Sequence, residues 1–502
     1  MSSTQTKQPT GWPGASLPYV RHTDAAANDV GPAGKFGVRL LGFYVFLLVS
    51  RVLDLSPIWW LHIPLIVLVI LVFSTLARGG VTFALQSKIS RYFGLFTLWV
   101  VVCYPFSSWR GMSQDLVVSS VEFFLVLLII VQTVRTAQDW RTVTGGYGYG
   151  VLLAAIYGFI FARSVDGRLA LVGGTFGDPN GFALSLLIGV PFLWVKAAYA
   201  NVFKKIFFLG CSTVVFISFA KAGSRGGILA LATMLLVMFI VSTASQRVVL
   251  CVVACVGVAC AAALLPGYLR ARYFTIFSPA SSSAGLDTSS REQLESDIES
   301  SGERRALLFQ SIHMTLEHPI LGVGPGVFAF AAWDERKAET GSGGLTLVTH
   351  NTYTQVSSET GLPGFFFFMG AVILSLKYTL SDYRALVRAG SDMVMLPRNL
   401  LLALVAFLVG IFFLSTAYSH FIALLLAFSA SLHNVVRQHL TEQALAPVAS
   451  TTLSPPANRA LQISKLASPL PGRRRVPSYL RERGVAKPTA DRNPPAESQA
   501  GS

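Results

Sequence analysis

The sequence predicts an all-α polytopic membrane protein: about twelve transmembrane helices and one large periplasmic loop containing short helices. Three observations carry that expectation. The 502 residues are 52% hydrophobic and only 13% charged, with a mean hydropathy of +0.56. Apolar runs recur at the roughly 17–25 residues that cross a bilayer as a helix. Basic residues alternate in density from one connecting loop to the next, as the positive-inside rule requires.

The elements follow in order. Residues 1–36 are polar and rich in Gly and Pro, read as a disordered cytoplasmic tail, and show no pattern of a cleaved signal peptide. Residues 37–266 supply nine spans, near 37–53, 58–76, 92–106, 116–134, 147–162, 181–199, 203–220, 226–242 and 247–266. Residues 267–360 form the long loop. Three more spans lie in 361–435, near 361–379, 400–416 and 419–435, the last two divided around Tyr418-Ser419-His420. Residues 436–502, with Pro469-Leu470-Pro471-Gly472-Arg473-Arg474-Arg475, have too little periodic hydrophobicity to fold and read as a disordered basic cytoplasmic tail.

With the N-terminus in the cytoplasm, the short inner loops and their flanks hold thirteen Lys and Arg, among them Arg78, Lys88, Arg135, Lys204 and Arg398. The outer ones hold six: Arg51, Arg110, Arg163, Arg168, Lys221 and Arg225. The long loop then faces outward and the C-terminus returns to the cytoplasm. The net charge of +15 is spent on topology, which argues against a nucleic-acid partner and for membrane lipids. Cys103, Cys211, Cys251, Cys255 and Cys260 all lie in apolar segments, without disulfide or metal-ligand spacing. No matching broken helices in two halves point to a secondary transporter.

Within the long loop, Ser278–Ser290 reads as a linker. Leu307, Leu308, Ser311, Ile312 and Thr315 then recur at helical spacing over Glu303–Leu316. Proline disfavours helix in the residue before it, so this helix ends at His318-Pro319. The turn Leu321-Gly322-Val323-Gly324-Pro325-Gly326 follows, and Gly322 and Gly324 allow close backbone approach there.

Four groups on the outer face are suited to chemistry. The first is His350-Asn351, followed after nine residues by Gly361-Leu362-Pro363-Gly364. Thr349 or Asn351 would cap a helix running to about Thr360, and the dipole at its start favours a neutral imidazole at His350. A neutral histidine can take a proton from a sugar hydroxyl; the plainer reading is a polar histidine at headgroup level. The second is Lys221-Ala222-Gly223-Ser224-Arg225-Gly226-Gly227, where Arg225 either binds an anion at a helix N-terminus or snorkels to the interface. The third is the pair Arg304 and Arg305, able to face a diphosphate or, more plainly, to balance Glu299 and Glu303 in solvent. The fourth is 173–182, where Asp178 and Asn180 cap the sixth span and are also able to hydrogen-bond a sugar. Glu359 adds a carboxylate near His350, able to bridge to an arginine. No Asp-x-Asp or acidic pair is suited to magnesium.

These residues resemble the O-antigen ligase and Wzy-type polymerase superfamily of bacterial membrane glycosyltransferases. The ligase signature His-(Asn/Ser/Gln)-x9-Gly-x-x-Gly is met by His350, Asn351, Gly361 and Gly364. The stretches Arg304–Gly326, Ser224-Arg225-Gly226 and Asp178-Pro179-Asn180 also look like the family, and the likeness covers about 37–435. The resemblance implies a metal-independent, inverting enzyme of the GT-C type, without cofactor, in the bacterial inner membrane. Its donor would be a glycan on undecaprenyl diphosphate, and its acceptor lipid A–core, a second glycan repeat or a protein hydroxyl. It implies His350 as base and Arg225 with Arg304 or Arg305 as diphosphate contacts, Arg304 being favoured. A Wzy-type polymerase of O-antigen, capsule or exopolysaccharide is the alternative within the family. A non-catalytic transporter or flippase of lipid-linked sugars is the alternative outside it.

Overall fold

The computed structural model describes residues 32–53, 56, 59–161, 163–165, 168–171, 178–274, 288–341 and 346–452. It divides into two units, residues 1–441, whose described residues are almost wholly helical, and 442–502, described as far as Thr452.

The helices in chain order are α1 (Pro32–Ser50), α2 (Ile63–Ala77), α3 (Lys88–Cys103), α4 (Arg110–Thr133), α5 (Ala137–Phe161), α6 (Pro179–Ala198), α7 (Val202–Lys221), α8 (Arg225–Ile240) and α9 (Ala244–Leu264). The long loop supplies α10 (Gly267–Phe274), α11 (Thr288–Glu317) and α12 (Phe328–Thr340). Then come α13 (Thr352–Arg388), α14 (Met395–Gly410) and α15 (His420–Thr452). A hairpin of β1 (Arg163–Val165) and β2 (Arg168–Ala170), paired antiparallel, joins α5 to α6.

Each apolar stretch read as a span contains a described helix. Among the described residues nine helices are long and apolar enough to cross a membrane, and α2 and α8 are shorter apolar helices. The chain is therefore a multi-pass membrane protein. The break in the last apolar region falls where expected, with 411–419 separating α14 from α15.

Burial sorts the helices into centre and periphery. In α6 and α15, 83% of the apolar window is inside the protein, whereas none of it is in α9. The valine- and alanine-rich surface of α9 is left for lipid tails, which solvate apolar side chains as well as a protein interior does. Around α6 pack α5, α7, α8 and α14, with Trp140, Phe192 and Phe428 meeting edge to face inside.

Two expectations are corrected. Residues 436–452 belong to α15, so the helix runs past the point where its sequence loses amphipathic periodicity. The loop helix also begins at Thr288, well before Glu303. It ends at Glu317, before His318-Pro319, as the proline requires. Residues 172–177 and most of the Ser278–Ser290 linker lie outside the described residues.

α13 is too long for one crossing: 37 residues span about 55 Å, against roughly 30 Å of hydrocarbon. Gly361 divides it, with φ 69° and ψ −176°, a conformation reserved for glycine. The first segment, 352–360, is buried within the protein, and the second continues as the apolar span. A smaller core of Leu307, Met314, Val323, Phe328 and Ala332 ties α11 to α12, so the long loop folds into a cap with its own interior.

Candidate active site

The candidate residues converge from five segments. At the start of α6, the Asp178 carboxylate accepts from the backbone N–H groups of Asn180 and Gly181, both at 3.0 Å, and from Asn180 Nδ2 at 3.0 Å. That holds the Asn180 side chain so that its Oδ1 accepts from Arg168 Nη2 at 2.8 Å. Capping is thus the structural role of Asp178, and anchoring a guanidinium is that of Asn180.

Across from it, α7 ends and α8 begins within 221–225. Ser224 caps α8 by accepting from Gly227 N–H at 3.1 Å. Three side chains satisfy carbonyls left over at the end of α7, where four C=O groups lack helical partners. Arg168 Nε donates to Ala222 O (3.1 Å), Arg272 Nε to Gly223 O (2.8 Å) and Tyr273 Oη to Ala220 O (2.8 Å). Gly223 takes φ +62° to make this turn.

A small cleft opens here, lined by Asn180, Ser224, Arg225, Gly226, Arg272 and Arg304 on its polar side and by Leu184, Phe413 and Leu414 on its apolar side. Arg225 is among the residues that line this cleft. Of the arginine pair, Arg304 lines the cleft, whereas Arg305 is exposed and rests over the Phe309 ring at 5.9 Å. One turn of α11 cannot present two consecutive residues to the same side.

Four guanidiniums, Arg168, Arg225, Arg272 and Arg304, lie close enough to perturb one another. Burial, and then neighbouring Arg168, pull Arg272 down to about 9, with Tyr268 opposing. Arg304 is likewise lowered by burial and by Arg225, and Arg168 by burial. Arginine stays protonated in proteins, and the Asp178 carboxylate partly offsets Arg168 and Arg304. So much desolvated positive charge in one place is costly unless an anion joins it.

His350 precedes α13. Asn351 caps that helix, accepting from Tyr353 N–H (2.9 Å) and Thr354 N–H (3.1 Å). Thr349 and Thr352 pin both sides of the turn onto the 414–416 stretch, through Ser415 Oγ at 2.7 Å and Leu414 O at 2.6 Å. Between these buried anchors the partly buried His350 has φ 49°, in the left-handed region, an uncommon backbone for a side chain with a Cβ and one that marks functional turns. Burial, and then the Arg304 charge, bring its imidazole down to about 4, against the pull of Asp178. His350 is therefore neutral at physiological pH and shares an electrostatic environment with Arg304.

Two predicted members stand apart. Asn351 is 4% exposed and its carbonyl-type oxygen is occupied by the cap. Glu359, which the sequence leaves able to bridge to an arginine, is buried in the protein at 3% exposure. There its carboxyl accepts from Gly326 N–H at 2.9 Å. The motif glycines serve backbone packing: a Cβ on Gly322 would overlap the Glu359 carbonyl group, and one on Gly361 the Ile320 carbonyl oxygen. Gly324 meets Ser107, and Gly364 the Thr360 side chain, in the same way.

Sequence reading missed Arg272 and used Arg168 only to set topology. Arg272 had a signal: a second basic residue two positions after Arg270, shortly beyond Pro266 on the side that the charge pattern predicts to be outer, where basic residues are disfavoured. Among the described residues no group of three or more His, Cys, Asp and Glu is arranged to hold a metal ion.

Fold and site together define a polytopic membrane protein with a cationic cleft near a neutral histidine, an arrangement suited to holding a phosphate-bearing anion. Residues 211–369, just under a third of the chain, match the family model of the O-antigen ligases. The matched stretch holds Arg225, Arg272, Arg304 and His350; Asp178, Asn180 and Arg168 lie outside it. No curated protein matches the chain.

Proposed function

We infer that this protein is an O-antigen ligase-like glycosyltransferase that moves a glycan from undecaprenyl diphosphate to an acceptor hydroxyl, on the periplasmic face of a bacterial inner membrane. The observation that carries this reading is the convergence of Arg225, Arg272 and Arg304 on one cleft beside a neutral His350.

The chemistry follows from the charges. The acceptor hydroxyl attacks the anomeric carbon opposite the diphosphate, forming a new C–O bond as the sugar–phosphate C–O bond breaks. The hydroxyl proton passes to the imidazole of His350, and the bonding electrons leave with the lipid diphosphate. Negative charge grows on that leaving group, and fixed guanidiniums placed before reaction stabilise it without reorganisation. Arg304 and Arg225 approach from α11 and α8, and Arg272 is already oriented by Gly223 O and Tyr268. Arginine suits this task because its planar fork meets phosphate oxygens in pairs. Three such cations offset the diphosphate charge without a divalent ion, so EDTA should leave the rate unchanged.

Purified protein in liposomes, given an undecaprenyl-diphosphate oligosaccharide and lipid A–core, tests the reading. Transfer should appear as a gel shift and vanish in His350→Ala while the variant stays folded. Transfer at the wild-type rate in that variant would remove the base. A second lipid-linked repeat offered as acceptor separates polymerase from ligase, since a growing ladder would replace the single shift. Movement of lipid-linked sugar across the bilayer that survives in His350→Ala, with no transfer, would mean transport instead.

A further inference from the structure

The buried carboxyl of Glu359 has no part in the chemistry above, yet it sits where four separate segments meet. Its side chain accepts from Gly326 N–H at 2.9 Å, and Phe328 N–H, Gln355 and Tyr418 also surround the carboxyl. Its backbone belongs to the same joint: Glu359 O accepts from Gly324 N–H at 3.1 Å and Ser358 O from Val323 N–H at 2.9 Å. Leu362 N–H donates to Pro319 O at 2.8 Å just beyond the Gly361 break. Gln355, one turn earlier, accepts from Ala417 N–H at 3.2 Å. On the far side of the turn, Ser113 Oγ donates to Pro325 O at 2.8 Å and Ser108 Oγ to Val323 O at 2.9 Å.

These bonds fasten together the supports of the site. α11 carries Arg304 and ends at the turn; 352–360 begins beside His350; 411–419 carries Phe413 and Leu414 of the cleft. The three come from distant parts of the sequence, and 322–328 is almost purely loop backbone, with N–H groups that need acceptors. We propose that Glu359 is a positioning residue, a latch that holds the Gly322–Phe328 turn of the cap against the Gly361 break and thereby fixes Arg304 relative to His350. A shift of about 1 Å between such groups costs on the order of 100-fold in rate, so the latch governs turnover more than donor binding. The kinetic part of this proposal rests on the transfer reaction proposed above; the structural part does not.

The test uses the full chain in nanodiscs, as wild type, Glu359→Ala and Glu359→Gln. Amide hydrogen exchange over 322–328 reads the latch without substrate, and is expected to quicken about 10- to 100-fold in Glu359→Ala as acceptors are lost. Affinity for undecaprenyl diphosphate without sugar should stay within about threefold, since the guanidiniums remain, while kcat at saturating donor falls tenfold or more. Glutamine keeps an oxygen for Gly326 N–H, so Glu359→Gln should recover slow exchange and most of kcat. Unchanged exchange in Glu359→Ala would overturn the latch. So would a loss of kcat with unchanged exchange, which would place the carboxyl on the substrate. If the alanine variant does not accumulate, Glu359→Gln decides: near wild-type exchange and turnover support the latch, and normal exchange with lost turnover refutes it. A chain inactive with every donor leaves the exchange result standing, so the failures of the two readings are distinguishable.

Discussion

The pH response of the reaction gives the most direct access to the site. A solvated histidine titrates near 6.5, and His350 is brought to about 4 by burial and by Arg304. At pH 5.5 a base of pKa 6.5 would be only about 9% neutral, whereas one near 4 is about 97% neutral. The wild-type kcat/KM should thus be almost flat from pH 7 to 5.5, where an unperturbed base would lose about tenfold. Replacing Arg304 by Gln removes the second cause of the shift, so the acid limb should move upward even as the rate falls. Bound lipid diphosphate brings negative charge beside the imidazole and favours its protonated form, so the limb in kcat should lie at higher pH than that in kcat/KM. Folding follows the same sign. The fold disfavours the imidazolium, so the contribution of His350 to stability is present above pH 6.5 and lost as pH falls toward 4. The assay is initial-rate transfer in liposomes across pH 4.5–8, with donor varied at each pH. An acid limb near 6.5 in wild-type kcat/KM, or one that Arg304→Gln leaves in place, would refute the assignment.

Two further outcomes are expected. Arg272→Gln should lower kcat/KM by about 10- to 100-fold, the usual loss for one charge-assisted hydrogen bond, with a weaker effect of added salt on donor affinity. Gly361→Ala should destabilise the fold by roughly 1–3 kcal/mol from backbone conformation alone, with the Ile320 overlap in addition. Its thermal midpoint in detergent should therefore drop clearly; a midpoint equal to wild type would show that the break tolerates a side chain.

Local features were legible in the sequence wherever neighbours along the chain decide the structure. Apolar length announced the helices, His318-Pro319 ended α11, and Asn351 caps α13 through the Tyr353 and Thr354 N–H groups two and three residues ahead. The orientation of Glu359 was not legible. One turn of helix separates it from Gln355, and only the rotation of 352–360 against the cap decides that both face inward. The choice between Arg304 and Arg305 was equally closed to sequence reading, because the rotation of α11 follows from Leu307 and Met314 packing into the cap core.

What the sequence by itself determined is a membrane protein of many apolar helices and a histidine–glycine motif at the start of one of them. Each rests on interactions within a few residues or on the solvent preference of a whole segment. The tertiary structure alone decided which cations share a cleft. Arg168 and Arg272, about a hundred residues apart, meet because both donate to carbonyls at the end of α7. Helix ends leave such acceptors wherever packing brings a guanidinium to them, and packing is a property of the assembled bundle that no single segment encodes.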